Sequence, residues 1–167
     1  EEIPLNFRSR QAGDSKLDNA VVWDWLVSLV HTATFRLLPR RAVSFGLVGL
    51  SGMVVHVGLY ALVRSLGASF FTTQVVAVIT AACSNYLINN SLTFRSRRLR
   101  GRSLFIGLLK FLLVSSLGMA ANVGVSTVVF TSLQGGPIAV IAVASGILVD
   151  FIWKYAASSR FVWNVPY

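Results

Sequence analysis

Acidic side chains are scarce in this sequence: six Asp and Glu stand against fifteen Lys and Arg, for a formal net charge of +9. No carboxylate pair, metal-ligating cluster or nucleotide-binding motif can be assembled from so few. The chain by itself is therefore expected to be catalytically inert, with no metal and no cofactor of its own. Cysteine is scarcer still. Cys83 is the only one, which excludes an intrachain disulfide and leaves a structural zinc site without a ligand set. Charge of either sign is thin, at 13% of residues against about 25% in an ordinary soluble domain, while 54% are hydrophobic.

What is present is long apolar runs. Four can be drawn, at 42–63, 70–92, 105–130 and 137–157, each close to the roughly 20 residues that cross about 30 Å of hydrocarbon. A soluble bundle with four such runs would have almost no polar surface left. The sequence therefore predicts an all-α membrane protein.

The cations are distributed unevenly. Arg95, Arg97, Arg98, Arg100 and Arg102 crowd the connection between spans two and three, and Arg36, Arg40 and Arg41 precede span one. Arg64 alone lies between spans one and two, and no cation separates spans three and four. The positive-inside rule then places both termini and the arginine loop in the cytoplasm. Topology and anionic headgroups account for those arginines, so the basic charge is not read as a nucleic-acid patch. Glu1-Glu2 is acidic and opens no signal-peptide pattern, so span one is expected to act as its own insertion signal.

The four spans are two copies of one hairpin. Phe45, Val48, Gly52, Met53, Val57 and Gly58 recur as Phe111, Val114, Gly118, Met119, Val123 and Gly124, and His56 falls on Asn122. The copies end in related signatures, Asn85-Tyr86-Leu87-Ile88-Asn89-Asn90-Ser91-Leu92-Thr93-Phe94 and Lys154-Tyr155-Ala156-Ala157-Ser158-Ser159-Arg160-Phe161-Val162-Trp163. An insertion around Gln134-Gly135-Gly136-Pro137 changes the offset between them. Each hairpin starts and ends on one side, which predicts parallel repeats about an axis along the membrane normal. A hydrogen bond between His56 and Asn122 across that axis is expected to join them. Gly46, Gly49, Gly52, Ala77, Ala81, Ala120, Gly124, Ala142 and Gly146 are expected to let helices approach closely.

The first 40 residues differ in kind. Glu2-Ile3-Pro4-Leu5-Asn6-Phe7 alternates like a short strand, followed by a cationic loop from Arg8 to Lys16. A lone strand and loop cannot bury a core, and with no initiating Met the expectation is that Glu1 lies inside a larger polypeptide. Residues 17–39 read as an amphipathic helix with Val22, Trp25, Leu26, Leu29 and Val30 on one stripe, Asp24 and Ser28 facing away, and Pro39 ending it near Leu38. Trp23 and Trp25 suit a helix lying at the membrane interface.

The block from Pro4 to Leu17 resembles the last strand and loop of polyprenyl-phosphate (dolichol-phosphate) mannosyl- and glucosyltransferases, whose pattern there is Phe-x-x-Arg-x-x-Gly-x-Ser-Lys. The duplicated bundle from Arg41 to Trp163 resembles the GtrA-like family of four-span proteins. Together these resemblances imply three parts: 1–16, the end of a glycosyltransferase domain; 17–39, an interfacial helix; and 40–167, a GtrA-like transmembrane domain. The implied activity of the complete protein is sugar transfer from a nucleotide sugar to polyprenyl phosphate at the cytoplasmic face of a bacterial or archaeal plasma membrane. The bundle anchors and orients the catalytic domain, and a divalent metal, Mg or Mn, is expected in that missing domain. The resemblance gives Arg8, Arg10, Ser15 and Lys16 phosphate contacts and Gly13 the turn between them. The alternative is that the bundle translocates the lipid-linked sugar across the membrane. Self-association as a homo-oligomer stays open.

Polar groups inside the spans are costly and invite a role. Asn85, Asn89 and Asn90 lie toward the cytoplasmic end of span two, and Asp150 and Lys154 are four apart on one face of span four, where they can pair. One reading is a polar recess that receives a lipid-carrier phosphate, with Lys154 and the loop arginines Arg95, Arg97, Arg98, Arg100 and Arg102 as cations at the headgroups. The other is interhelical glue and snorkelling.

Overall fold

The computed structural model describes residues 18–132 and 138–166. The expected strand at 2–7, the loop with Arg8, Arg10, Gly13, Ser15 and Lys16, and the insertion at 134–137 lie outside the described residues.

Among the described residues all regular structure is helical: α1 Asn19–Ala33, α2 Arg40–Ser65, α3 Phe70–Ile88, α4 Arg102–Ser132 and α5 Ile138–Ala157. α3 and α5 each continue into one π-helical turn, Asn89–Thr93 and Ser158–Val162, so the four membrane spans run over Arg40–Ser65, Phe70–Thr93, Arg102–Ser132 and Val140–Val162. The chain is an all-α integral membrane protein. Side chains such as Val54, Val123 and Val140 are 71%, 63% and 69% exposed, a surface that only lipid or another apolar partner can cover.

The helices form two hairpins, α2 with α3 and α4 with α5, each packed along its own length. Between hairpins the contact is far smaller. α2 and α4 make little of it, and Asn122 accepts a hydrogen bond from Ser126 of its own helix, 3.3 Å away, while lying against Gly146 of α5. The expected His56–Asn122 bond across the axis is therefore absent. Asn122 is spent inside its own hairpin, where a Cβ at Gly146 would overlap both Asn122 and Ser126. Gly52 likewise accommodates Asn85, but Gly49 and Gly124 face open space and bring no helices together.

The hairpins meet at the end that carries the arginine loop. Phe45, Tyr86, Phe94, Phe111, Val162 and Trp163 form one buried cluster there. It obeys the duplication. Phe45 meets Tyr155 of the other copy with ring centroids 5.7 Å apart, and its equivalent Phe111 meets Tyr86, the equivalent of Tyr155, at 5.6 Å. At the centre the equivalent rings Phe94 and Trp163 stack on each other, 4.1 Å apart and 9° from parallel. The π-turns place them there. Phe94 N–H donates to Asn89 O at 2.8 Å and Trp163 N–H to Ser158 O at 3.1 Å, both i to i+5, and the wider turn swings the next residue round into the bundle.

α1 is shorter than expected. It ends at Ala33, where Thr34 Oγ1 donates back to Val30 O, and Phe35 and Arg36 then adopt left-handed backbone, with φ of 52° and 59°. Two such residues cost roughly 1–2 kcal/mol each. The turn is held by Arg36 N–H to His31 O at 2.9 Å and by the His31 ring donating from Nδ1 to Leu38 O at 2.9 Å. Pro39 does not terminate α1. It caps α2, where its missing N–H and fixed φ of −56° are no handicap. The expected apolar stripe is not what α1 packs with: Val22, Trp25, Leu26 and Leu29 stay exposed, while Val27 and Trp23 on another face turn toward the bundle.

Replacing Trp163 by Ala should lower unfolding stability by about 3–5 kcal/mol, read as a fall in thermal midpoint in detergent, whereas Trp163→Phe should lose far less because the stack on Phe94 survives. Equal losses in the two variants would show that ring stacking does not join the hairpins.

Candidate functional site

The polar residues of the two signatures all belong to the arginine-bearing end, but the structure does not gather them into one recess. Asn85 and Asn89 lie in the α2–α3 hairpin. Asn89 Nδ2 donates to Asn85 O at 2.9 Å, and the side-chain oxygens of both are buried without a hydrogen-bond partner among the described residues. Asp150 and Lys154 lie in the α4–α5 hairpin and form the expected ion pair, at 2.8 Å with side chains 18% and 26% exposed. The other Asp150 oxygen is turned onto Gly118 and has no hydrogen-bond partner among the described residues. Gly118 and Gly52 are equivalent in the two copies, so each hairpin seats polar side chains of its second helix over the same glycine. The first copy uses an amide there and the second an ion pair.

Asn90 has a different task. Its side chain is 3% exposed. Oδ1 accepts from Leu99 N–H at 2.8 Å and from Trp163 Nε1 at 3.1 Å, while Nδ2 donates to Leu99 O at 3.1 Å. One amide therefore ties together the end of α3, the arginine loop and the end of the second copy. With both lone-pair directions used, Asn90 is a clamp and has no acceptor left to offer a ligand.

The loop that Asn90 pins is a single 3₁₀ turn at Arg95–Arg97, followed by Gly101 at φ 54°. Arg97, Arg98, Arg100 and Arg102 stand exposed around it. Arg95 folds back and pairs with Asp24 of α1 at 2.9 Å. Both members are about half exposed, so the pair contributes no more than about 1 kcal/mol and is one of several ties on α1.

α1 is held at two further points, through Trp23 and Ser28. Trp23 Nε1 donates to Ser44 Oγ of α2 at 2.9 Å, and Ser44 shares a hydrogen bond of 2.8 Å with Thr93 Oγ1 in the π-turn of α3. Arg40 donates to Ser28 Oγ at 2.6 Å. Arg41 lies 6.0 Å from the centroid of the Phe94 ring, within cation–π range. None of these contacts was legible from the sequence, where Arg40 and Arg41 served only to set topology. Ser44 carries no signal of its own, and Thr93 was visible only as part of the signature.

Fold and site together define a duplicated-hairpin membrane bundle with a juxtamembrane helix docked on its arginine-bearing end. The sequence matches the family described as GtrA/DPMS, transmembrane domain, over residues 44–163, and the chain belongs to that family. It is also 30% identical over 162 residues to a dolichol-phosphate mannosyltransferase of Pyrococcus furiosus, an alignment that covers 97% of this chain and 45% of that protein. The chain thus spans less than half the length of the relative it matches.

Asn90→Ala should destabilise the bundle by about 2–4 kcal/mol, from the loss of one buried and two part-buried hydrogen bonds and the groups left unpaired on Leu99 and Trp163. Ser91→Ala, one position along, should change stability by no more than about 0.5 kcal/mol. Thermal denaturation of both variants in the same detergent decides it, and a neutral Asn90→Ala would remove the clamp.

Proposed function

We propose that this chain is the membrane domain of a polyprenyl-phosphate glycosyltransferase, and that it anchors and orients a catalytic domain that precedes residue 17. That domain moves a sugar from a nucleotide diphosphate sugar to a polyprenyl phosphate at the cytoplasmic face, with a divalent metal of its own. Arg8, Arg10, Ser15 and Lys16, with Gly13 permitting the turn, serve as contacts for phosphate groups of the donor or the lipid acceptor, for which Arg offers a forked donor, Lys a point charge and Ser a hydroxyl. Both termini and the arginine loop face the cytoplasm of a bacterial or archaeal cell.

The observation that carries this reading is the docking of α1. This helix is the segment through which any upstream domain must connect to the bundle. Trp23, Asp24 and Ser28 bond it to two separate elements, the first turns of α2 through Ser44 and Arg40 and the arginine loop through Arg95. Its exposed stripe of Val22, Trp25, Leu26 and Leu29 is free to lie against the bilayer surface. A helix fixed on one side to the bundle and resting on lipid with another has little rotational freedom, and it passes that restriction to whatever precedes it. Membership in the GtrA/DPMS transmembrane family and likeness to a dolichol-phosphate mannosyltransferase support the same assignment. The acceptor phosphate cannot leave the membrane, so holding the catalytic face at a fixed height and angle raises the effective concentration of the reacting groups.

Trp23→Leu combined with Ser44→Ala in the complete protein should slow transfer to membrane-embedded polyprenyl phosphate about tenfold, while transfer to a short, water-soluble prenyl phosphate stays near wild type. Unchanged transfer to the embedded acceptor would sink the orienting role. If transfer is unaffected and the product fails to reach the outer leaflet in sealed vesicles, the bundle is a translocator.

A further inference from the structure

Under α1, at the start of α2, the docked helix borders a half-open hollow of about 400 Å³, a volume within the range of small-ligand sites. Three guanidinium groups border it, those of Arg40, Arg41 and Arg95, with Asp24 as the one carboxylate. Ser44 and Thr93 add hydroxyls to its lining, and Trp23 and Leu92 add apolar surface. The placement of the cations is costly. Arg40 and Arg41 occupy the first turn of α2, a turn with no acidic residue and no side-chain cap. There the unpaired backbone N–H groups already carry partial positive charge, and cations are unfavourable. An anion in the hollow would offset both terms.

The duplication supplies an internal comparison. A second hollow, of about 370 Å³, lies at the corresponding place on the second copy, with Lys110 where the first has Ser44, Phe161 for Leu92 and Asn164 for Arg95. The positions of Arg40 and Arg41 are Ile106 and Gly107. Two hollows of one origin have diverged, and only the first has three arginines and a helix over it.

We propose that the hollow roofed by α1 seats the phosphate group of an anionic lipid. Arg40 and Arg41 can each present two parallel N–H donors to a phosphate, Ser44 and Thr93 sit within the same wall, and the apolar side of the lining suits a headgroup whose chain remains in the bilayer. Asp24 competes with that phosphate for Arg95 and opposes it by charge. Naming polyprenyl phosphate as the occupant rests on the function proposed above, while the phosphate seat itself does not.

The test is retention of polyprenyl monophosphate by the protein in phosphatidylcholine nanodiscs, measured by native mass spectrometry. Arg40→Gln with Arg41→Gln should weaken retention about tenfold or more, and Asp24→Asn should strengthen it several-fold, a gain that a folding defect cannot imitate. Arg36→Gln with Lys110→Gln removes the same charge outside the hollow and should leave retention within about twofold of wild type. Equal losses in the two double variants would overturn the seat in favour of diffuse surface charge, and so would the lack of any gain from Asp24→Asn. Phosphatidylglycerol serves as the second probe. If it is held through Arg40 and Arg41 while polyprenyl phosphate is not, the seat stands and the polyprenyl-phosphate reading falls. Inorganic phosphate held in detergent with neither lipid retained would overturn the lipid seat.

Discussion

The arrangement of this bundle depends on the stack of Phe94 on Trp163. In a bilayer the hydrophobic effect does not press helices together, because lipid tails are as apolar as the side chains they would displace. Association must come from close packing and from polar groups that prefer each other to hydrocarbon. Each hairpin has such contacts along its length, with Asn85 over Gly52 and Asp150 over Gly118. Between hairpins there is little except the aromatic cluster at one end, and the two rings at its centre are the only equivalent pair to stack on each other there. Remove that stack and the hairpins are joined only by its flanks, chiefly Phe45 on Tyr155, Phe111 on Tyr86 and the Tyr86 hydroxyl on Leu104 O.

The stack in turn depends on a helical irregularity. A regular α-helix through 89–93 would carry Phe94 on along the same spiral. The π-turn widens it, and the same widening at 158–162 places Trp163 opposite. Asn90 then makes the arrangement asymmetric in a useful way. It takes the indole N–H of Trp163 and both backbone groups of Leu99, so the ring contact between copies also folds down the arginine loop. The second copy has Ser159 at that position. Duplication supplied the frame, and divergence at a few polar positions gave the two halves different duties.

Much of this frame could be read from the residues. Length and apolarity located four spans to within a few positions, and the recurrence of Phe45 as Phe111 and Gly52 as Gly118 revealed two hairpins. The i, i+4 spacing of Asp150 and Lys154 foretold their pair, which is a local property of one helix. What the residues did not reveal depends on how the hairpins face each other. His56 and Asn122 are equivalent in sequence, which says nothing about whether they lie near the axis. Asn122 bonds within its own helix instead. Asn90 looked like one more intramembrane amide beside Asn85 and Asn89, because its partners, Leu99 and Trp163, are 9 and 73 residues away. The end of α1 was misplaced because Pro39 can stop one helix or start the next, and the choice between them was made by Thr34 and the two left-handed residues after it.

Arg40 and Arg41 show how one feature can serve several demands at once. As topology signals they need only lie on the correct side of the membrane, and almost any position before span one would serve. They stand instead in the first turn of α2, the position where a helix least tolerates cations, and they are put to separate uses there. Arg40 reaches Ser28 of α1, and Arg41 lies against the ring of Phe94 at the hairpin junction. The docked helix, the central stack and the arginine-lined hollow therefore meet at two consecutive residues. An anion drawn into that hollow would neutralise the strained turn and brace α1 at the same time, so occupancy of the hollow and the orientation of anything joined to α1 are physically coupled through Arg40 and Arg41.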